Sequence, residues 1–169
     1  MRAGFRLLIS ALALGAAIFI VYRQLAPNPA VAALYAVTLP DQNGQPQALA
    51  QWRDKIVLVN FWATWCPPCR EEMPELSEFQ EKYRARNVIV LGIATDDVAK
   101  ISEYSKTRPV QYPLLAGDFQ AMTLAETLGN NKGALPYSVL IDPKKGITHI
   151  YFGRINIKQL EQDVREIAE

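Results

Sequence analysis

Residues 56–70 read IVLVNFWATWCPPCR, and both cysteines of the 169-residue chain lie in this stretch. Its first seven residues are aliphatic or aromatic except for Asn60, which predicts a central strand covered on both faces. Pro67 then opens a helix, because a first turn tolerates a residue without an N–H. Cys66 therefore stands where a strand ends and a helix begins, with Cys69 one turn further in. Such a pair can be a structural staple, a metal clip or a couple that exchanges electrons. A loop this short makes a poor staple, since disulfide stabilisation grows with loop length. The helix start and its macrodipole favour a negative group there, drawing a thiol pKa from about 8.5 toward about 7 or below. That ordering makes Cys66, nearer the surface, the attacking sulfur and Cys69 the one that resolves the mixed disulfide. Trp65 supplies an apolar surface beside the pair, while Pro67 and Pro68 remove two donors and stiffen the loop.

Beyond the cysteines, Cys69, Glu72, Leu76, Phe79 and Tyr83 recur at helical spacing and form one apolar face. Glu72 is an acid on that core-facing stripe, one turn from Cys69. Burial would raise its pKa and fit it to pass a proton to or from Cys69. At the edge of the stripe it would instead reach water, as Glu71 and Glu75 should. Pro74 should bend the helix, since it cannot donate to the carbonyl of Arg70. Arg70 reads as a solvated surface group, and His149, the single histidine, as structural or exposed on an edge strand.

The remaining chain sets the frame. Half the residues are hydrophobic and 21% are charged, with a formal charge of +1. That balance supports one globular core and lacks the basic footprint of a nucleic-acid binder. Two cysteines and one histidine cannot build a usual four-ligand zinc site without carboxylates, so no metal site is expected. Residues 7–22 carry no charge and are flanked by Arg6 and Arg23. Residues 1–24 thus read as a signal anchor, or as a signal peptide cleaved near Ala30–Ala32. The positive flank favours an inside N-terminus, which would leave the remaining domain in an oxidising exterior compartment. Residues 25–34, with Pro27 and Pro29, read as an extended tether, and residues 35–169 as the folded domain.

Within that domain, Asn43–Gly44 between short apolar runs signals a hairpin. Strands are expected at 56–62, 88–94, 112–115, 137–141 and 147–152, and helices from 67, at 98–107 and at 121–128. A last helix follows Asn156, its expected cap, with Gln159 at the capping-box position. Strand, helix, strand at this spacing gives a right-handed parallel unit, hence an α/β fold with one central mixed sheet flanked by helices.

The stretch from Lys55 to Pro74, FWATWCPPC between a buried strand and a helix, resembles the active-site region of the thioredoxin superfamily. It is most similar to the membrane-anchored TlpA/ResA-like thiol–disulfide oxidoreductases. The resemblance implies a thioredoxin-like fold with an N-terminal β-hairpin and a central strand–helix insertion over residues 112–128. It makes Cys66 and Cys69 a redox-active disulfide with no other cofactor, and it places an acid at Glu72. It also makes Pro136 a cis-proline, with Leu135 and Pro136 joining Trp65, Pro67 and Pro68 in substrate binding. The partners implied are disulfide- or thiol-bearing proteins, a membrane thiol carrier as electron donor, and the cytoplasmic membrane through the N-terminal helix; a monomer is expected.

Two departures bear on function. Asn60 stands where thioredoxin has an aspartate and cannot relay a proton, which leaves Glu72 as the buried acid. Gly133–Ala134–Leu135–Pro136–Tyr137 lacks the glutamate that cytochrome c maturation relatives often carry after the proline. The leading expectation is a reductase of partner disulfides outside the cytoplasmic membrane, with a thiol oxidase as the alternative. A Cu(I) module would use Cys66, Cys69 and Met73. A peroxidase on the same fold would need a different residue from Trp62 ahead of Cys66.

Overall fold

The computed structural model describes residues 28–168. In it the 56–62 run is the middle strand of the molecule. Strand β3 (Ile56–Trp62) is buried at every residue. It pairs in parallel with β4 (Val88–Ala94), register Asn60 to Gly92, and antiparallel with β6 (Tyr137–Asp142), register Asn60 to Ser138. Strand β5 (Leu114–Ala116) extends the sheet beyond β4, and β7 (Gly146–Phe152) closes the other edge, giving the order β5-β4-β3-β6-β7. A separate hairpin, β1 (Thr38–Pro40) and β2 (Pro46–Ala48), bridges to the β5 edge through Asp41 and Leu115. The Asp41 carboxylate accepts from the N–H groups of Asn43 and Gln45 and shapes the hairpin turn.

The sheet divides the core by strand parity. Leu58, Trp62, Val90 and Leu140 point to one face, covered by α2 (Pro67–Tyr83), α3 (Val98–Thr107) and α5 (Ile157–Ala168). Val57, Val59, Phe61, Ile93 and Val139 point to the other, covered by α1 (Pro29–Tyr35) and α4 (Asp118–Thr127). On the first face Gly92 is required by close approach. A Cβ there would lie 2.8 Å from the Leu114 side chain and 3.2 Å from Trp62 Nε1. The hairpin and the β5–α4 insertion are both present, so the fold expected from the sequence is the fold observed.

Three expectations need correction. The extended tether over 25–34 is largely helical where the structure describes it. Asn28 Oδ1 accepts from the N–H groups of Ala30 and Val31, Pro29 occupies the first turn, and Leu34 is fully buried in the core. An Asn cap with proline in the first turn is a helix start, and burial of Leu34 anchors the segment. The capping box of α5 does not form either. Asn156 does cap the helix, accepting from the N–H groups of Lys158 and Gln159, but the Gln159 side chain turns to Asp163 at 2.7 Å. Finally, β5 begins two residues later than expected, because Pro113 has no N–H and offers only its carbonyl, to Gly92. The anchor or signal peptide expected at 1–24 lies outside the described residues. Among the described residues no helix is long and apolar enough to cross a membrane.

Candidate active site

Cys66 is the cap residue of α2, in extended conformation, and Pro67 and Pro68 occupy the first helical turn. Cys69 follows in that turn, and the two sulfurs form a disulfide across a Cα separation of 5.3 Å. Cys66 keeps 4% of its surface open and Cys69 none. Both cysteines are thus buried, Cys66 slightly the less so. The prolines also change the electrostatics expected at the helix start. They remove two backbone donors, and Arg70 N–H is spent on Cys66 C=O. The Cys69 N–H and the helix dipole are what remain to favour a Cys66 thiolate.

Glu72 lies under this pair, fully buried, on the face where the helical spacing placed it. Asn60 Nδ2 donates to Oε1 at 2.7 Å and Ile155 N–H donates to Oε2 at 3.0 Å. Burial pushes its pKa up from 4.5 to about 7, opposed by these two hydrogen bonds and by the positive charge of Arg154. Desolvation wins over two donors, which leaves a group that exchanges protons near neutrality. Arg154 itself reaches Glu75 at 2.7 Å and Glu71 at 3.4 Å, straddling Glu72 from outside.

The opposite wall of the site is the segment before β6. The Leu135–Pro136 bond is cis, and Leu135 packs against the cluster that holds Cys66 and Cys69. Asn130 fixes this segment by donating to Ala134 C=O and accepting from Ala134 N–H. Trp65 is 67% exposed beside Cys66. It borders a groove of about 500 Å³ that runs past Leu135 and Gly133 to Phe119 and Met122 of α4. Phe119 and Met122 are 81% and 56% exposed. Among the described residues no cluster of three or more His, Cys, Asp or Glu is placed to hold a metal. His149 sits on edge strand β7, 3.7 Å from Asp163 and away from the cysteines.

Several contributors escaped the sequence reading. Asp96, nearly fully buried, accepts from Thr64 N–H at 2.6 Å and so pins the loop that carries Cys66. Its position just past the end of β4 was a usable signal, because sites gather at the carboxyl ends of parallel strands. Ile155 and Arg154 come from distant segments and act on Glu72 through tertiary structure alone, as does Ser138 on its partner Asn60. Phe119 and Met122 were not singled out in the sequence, and the helix expected at 121–128 starts at Asp118, so that it includes Phe119.

Residues 31–150 match the AhpC/TSA family. The chain is 30% identical over 130 residues to the thiol-disulfide oxidoreductase ResA of Bacillus thuringiensis (strain Al Hakam), covering 76% of this chain and 72% of that protein. It is 28% identical over 134 residues to the thioredoxin-like protein YneN of Bacillus subtilis (strain 168), covering 74% and 72%. Among solved structures, a putative thiol:disulfide interchange protein DsbE from Chlorobium tepidum superposes with a TM-score of 0.69 at 23% identity, over 79% of this chain and 93% of that one. A cysteine pair at a helix start, the matched family and these relatives agree: the chain belongs to the AhpC/TSA family, with a thioredoxin-like fold, and is a thiol–disulfide oxidoreductase.

Proposed function

We propose that this oxidoreductase reduces disulfides of partner proteins outside the cytoplasmic membrane. The observation that carries the reading is a buried acid, near neutral in pKa, one turn beneath the better-shielded sulfur. In the reduced enzyme the Cys66 thiolate attacks a partner disulfide, forming a Cys66–partner bond and releasing one partner thiolate. Cys69 then gives its proton to the Glu72 carboxylate, and its thiolate attacks Cys66. The Cys66–Cys69 disulfide forms, the second partner thiolate leaves and takes up the proton, and two electrons have passed to the partner. A thiol carrier in the membrane restores the pair by the reverse exchange, and no other cofactor takes part.

The substrate chain lies in the groove between Trp65 and Leu135, where the backbone beside Pro136 pairs with an extended segment. Trp65, Pro67 and Pro68 form the near wall of this contact, and Leu135 and Pro136 the far wall. The placement of the first described residue supports the anchored arrangement. Asn28 lies beside Gly146 at the start of β7, at the Val57 end of β3 and so at the pole opposite Cys66. A chain held to a membrane by its N-terminus would therefore turn the site toward partners. The reduction potential of the pair tests the direction of electron flow: a value below about −200 mV supports reduction, and one near about −120 mV would make the protein an oxidase.

A further inference from the structure

Glu72 is gripped by two donors of unequal freedom. Ile155 N–H belongs to the backbone between β7 and α5 and can only donate to Oε2. Asn60 Nδ2 donates one hydrogen to Glu72 Oε1 at 2.7 Å and the other to Ser138 Oγ at 2.9 Å. Asn60, Glu72 and Ser138 are all fully buried, and Asn60 Oδ1 has no hydrogen-bond partner among the described residues. This arrangement suits a carboxylate, since each of its oxygens meets a donor. A proton on either lone pair that now meets a donor conflicts with it. At the one facing the Ile155 N–H it meets a backbone group that cannot turn, and at the one facing Asn60 Nδ2 it meets a group that can.

A half-turn of the Asn60 amide exchanges Nδ2 and Oδ1 within nearly the same volume. Oδ1 then accepts from the protonated Glu72, and the Ser138 hydroxyl rotates from accepting to donating to the same oxygen. Two hydrogen bonds at the amide become two others, and the atom without a partner changes from Oδ1 to Nδ2. We propose that Asn60 is a positioning residue whose side-chain amide reverses each time Glu72 gains or loses its proton, donating to the carboxylate and accepting from the acid. The inference rests on Glu72 as the proton carrier for Cys69, and it explains why an amide serves here. An aspartate at position 60 would set two carboxylates within hydrogen-bond reach and force them to share a proton.

The other groups near Glu72 are Cys69, one turn earlier on its own helix and held in the disulfide, the Tyr112 phenol from the segment before β5, and Arg154 and Glu75 at the rim. Burial pushes the Tyr112 pKa well above its usual value of 10, so the phenol keeps its proton through the range in which Glu72 titrates. Arg154 and Glu75 act on Glu72 in opposite senses. None of these four groups is hydrogen-bonded to Glu72 among the described residues.

The test is an NMR titration of the isotope-labelled full chain, which needs no substitution that threatens folding. Nuclear Overhauser contacts between the Asn60 Nδ2 protons and the Ser138 side chain are followed alongside the Glu72 carboxyl carbon. The expected result is loss of those contacts below the Glu72 midpoint and their return above it. In Glu72→Gln, whose amide must give its oxygen to the fixed Ile155 N–H and so turns its own NH2 toward Asn60, the contacts are absent at every pH. Contacts that persist in the unsubstituted protein while the Glu72 carbon titrates overturn the proposal. This readout follows the amide and not turnover. If Glu72→Gln left thiol exchange unchanged, the acid's role would fail while an observed reversal stood.

Discussion

Glu72 sets the behaviour of the site at the scale of single residues. Its folded pKa of about 7 lies above the ordinary 4.5 because burial disfavours the charged form. Below the lower value the carboxyl is protonated whether the chain is folded or not. Between the two values the unfolded chain ionises first, so folding takes up a proton and stability falls as pH rises. Above the upper value both states are ionised and the full cost is present, up to about 3 kcal/mol at about 1.4 kcal/mol per pKa unit. Glu72→Gln is therefore expected to flatten the loss of stability that the parent shows between about pH 5 and about pH 8 in denaturant unfolding. The same variant should slow release of a mixed disulfide on the order of 100-fold at neutral pH, the typical worth of a placed acid–base group. Stopped-flow measurement of the second exchange step checks it. Glu72 was legible in the sequence because its spacing from Cys69 and Leu76 puts it on the buried stripe. Its partners were not, since Asn60 and Ile155 meet it only once β3 and the β7–α5 segment are folded around α2.

Elements differ in how much of their reason for being lies within their own residues. The spans Ile56–Trp62, Val88–Ala94 and Val98–Thr107 stand as the sequence implied, because apolar runs and helical spacing are local signals. Helix α1 was hidden by prolines that suggest an extended tether, although Asn28 and Pro29 together form a competent helix start. The missing capping box has a similar cause: Gln159 finds Asp163 one turn later, and Asp163 also holds the Tyr151 hydroxyl at 2.6 Å. Two predictions belong to this scale. Arg154 ties the β7–α5 segment to α2 across Glu71 and Glu75 and opposes the upward shift of Glu72. Arg154→Gln should raise the Glu72 midpoint while costing under about 1 kcal/mol of stability, since the ion pairs are partly exposed. The carboxyl carbon titration reads the first effect, and an unmoved or lowered midpoint would contradict it. Gly92→Ala should destabilise by about 1–3 kcal/mol, because the added methyl overpacks β4 against Leu114 and Trp62. Thermal unfolding checks that cost.

At the scale of the whole fold, three of the five exposed large hydrophobic side chains among the described residues gather at one place, the other two being Ile150 and Phe152 on edge strand β7. Trp65, Phe119 and Met122 border one groove beside Cys66, whereas most large hydrophobic side chains are buried on the two sheet faces. Patches of this kind mark contact surfaces, and methionine and aromatic side chains adapt to varied partners. Replacing Phe119 and Met122 together by serine should raise KM for protein disulfides several-fold and leave small-molecule disulfides unaffected. Steady-state reduction of insulin and of a low-molecular-weight disulfide separates the two. Nothing local in the sequence revealed this groove, because its walls come from the Trp65 loop, α4 and the segment before β6, which only the fold brings together. The proposed cysteine order, by contrast, rests on the strand-to-helix junction itself. It is tested by incubating reduced Cys69→Ser and Cys66→Ser separately with a disulfide-bearing protein and weighing the products under non-reducing conditions. The account predicts a stable covalent adduct with Cys69→Ser and none with Cys66→Ser. An adduct that forms through Cys69 when Cys66 is absent, or no adduct with either variant, would contradict it.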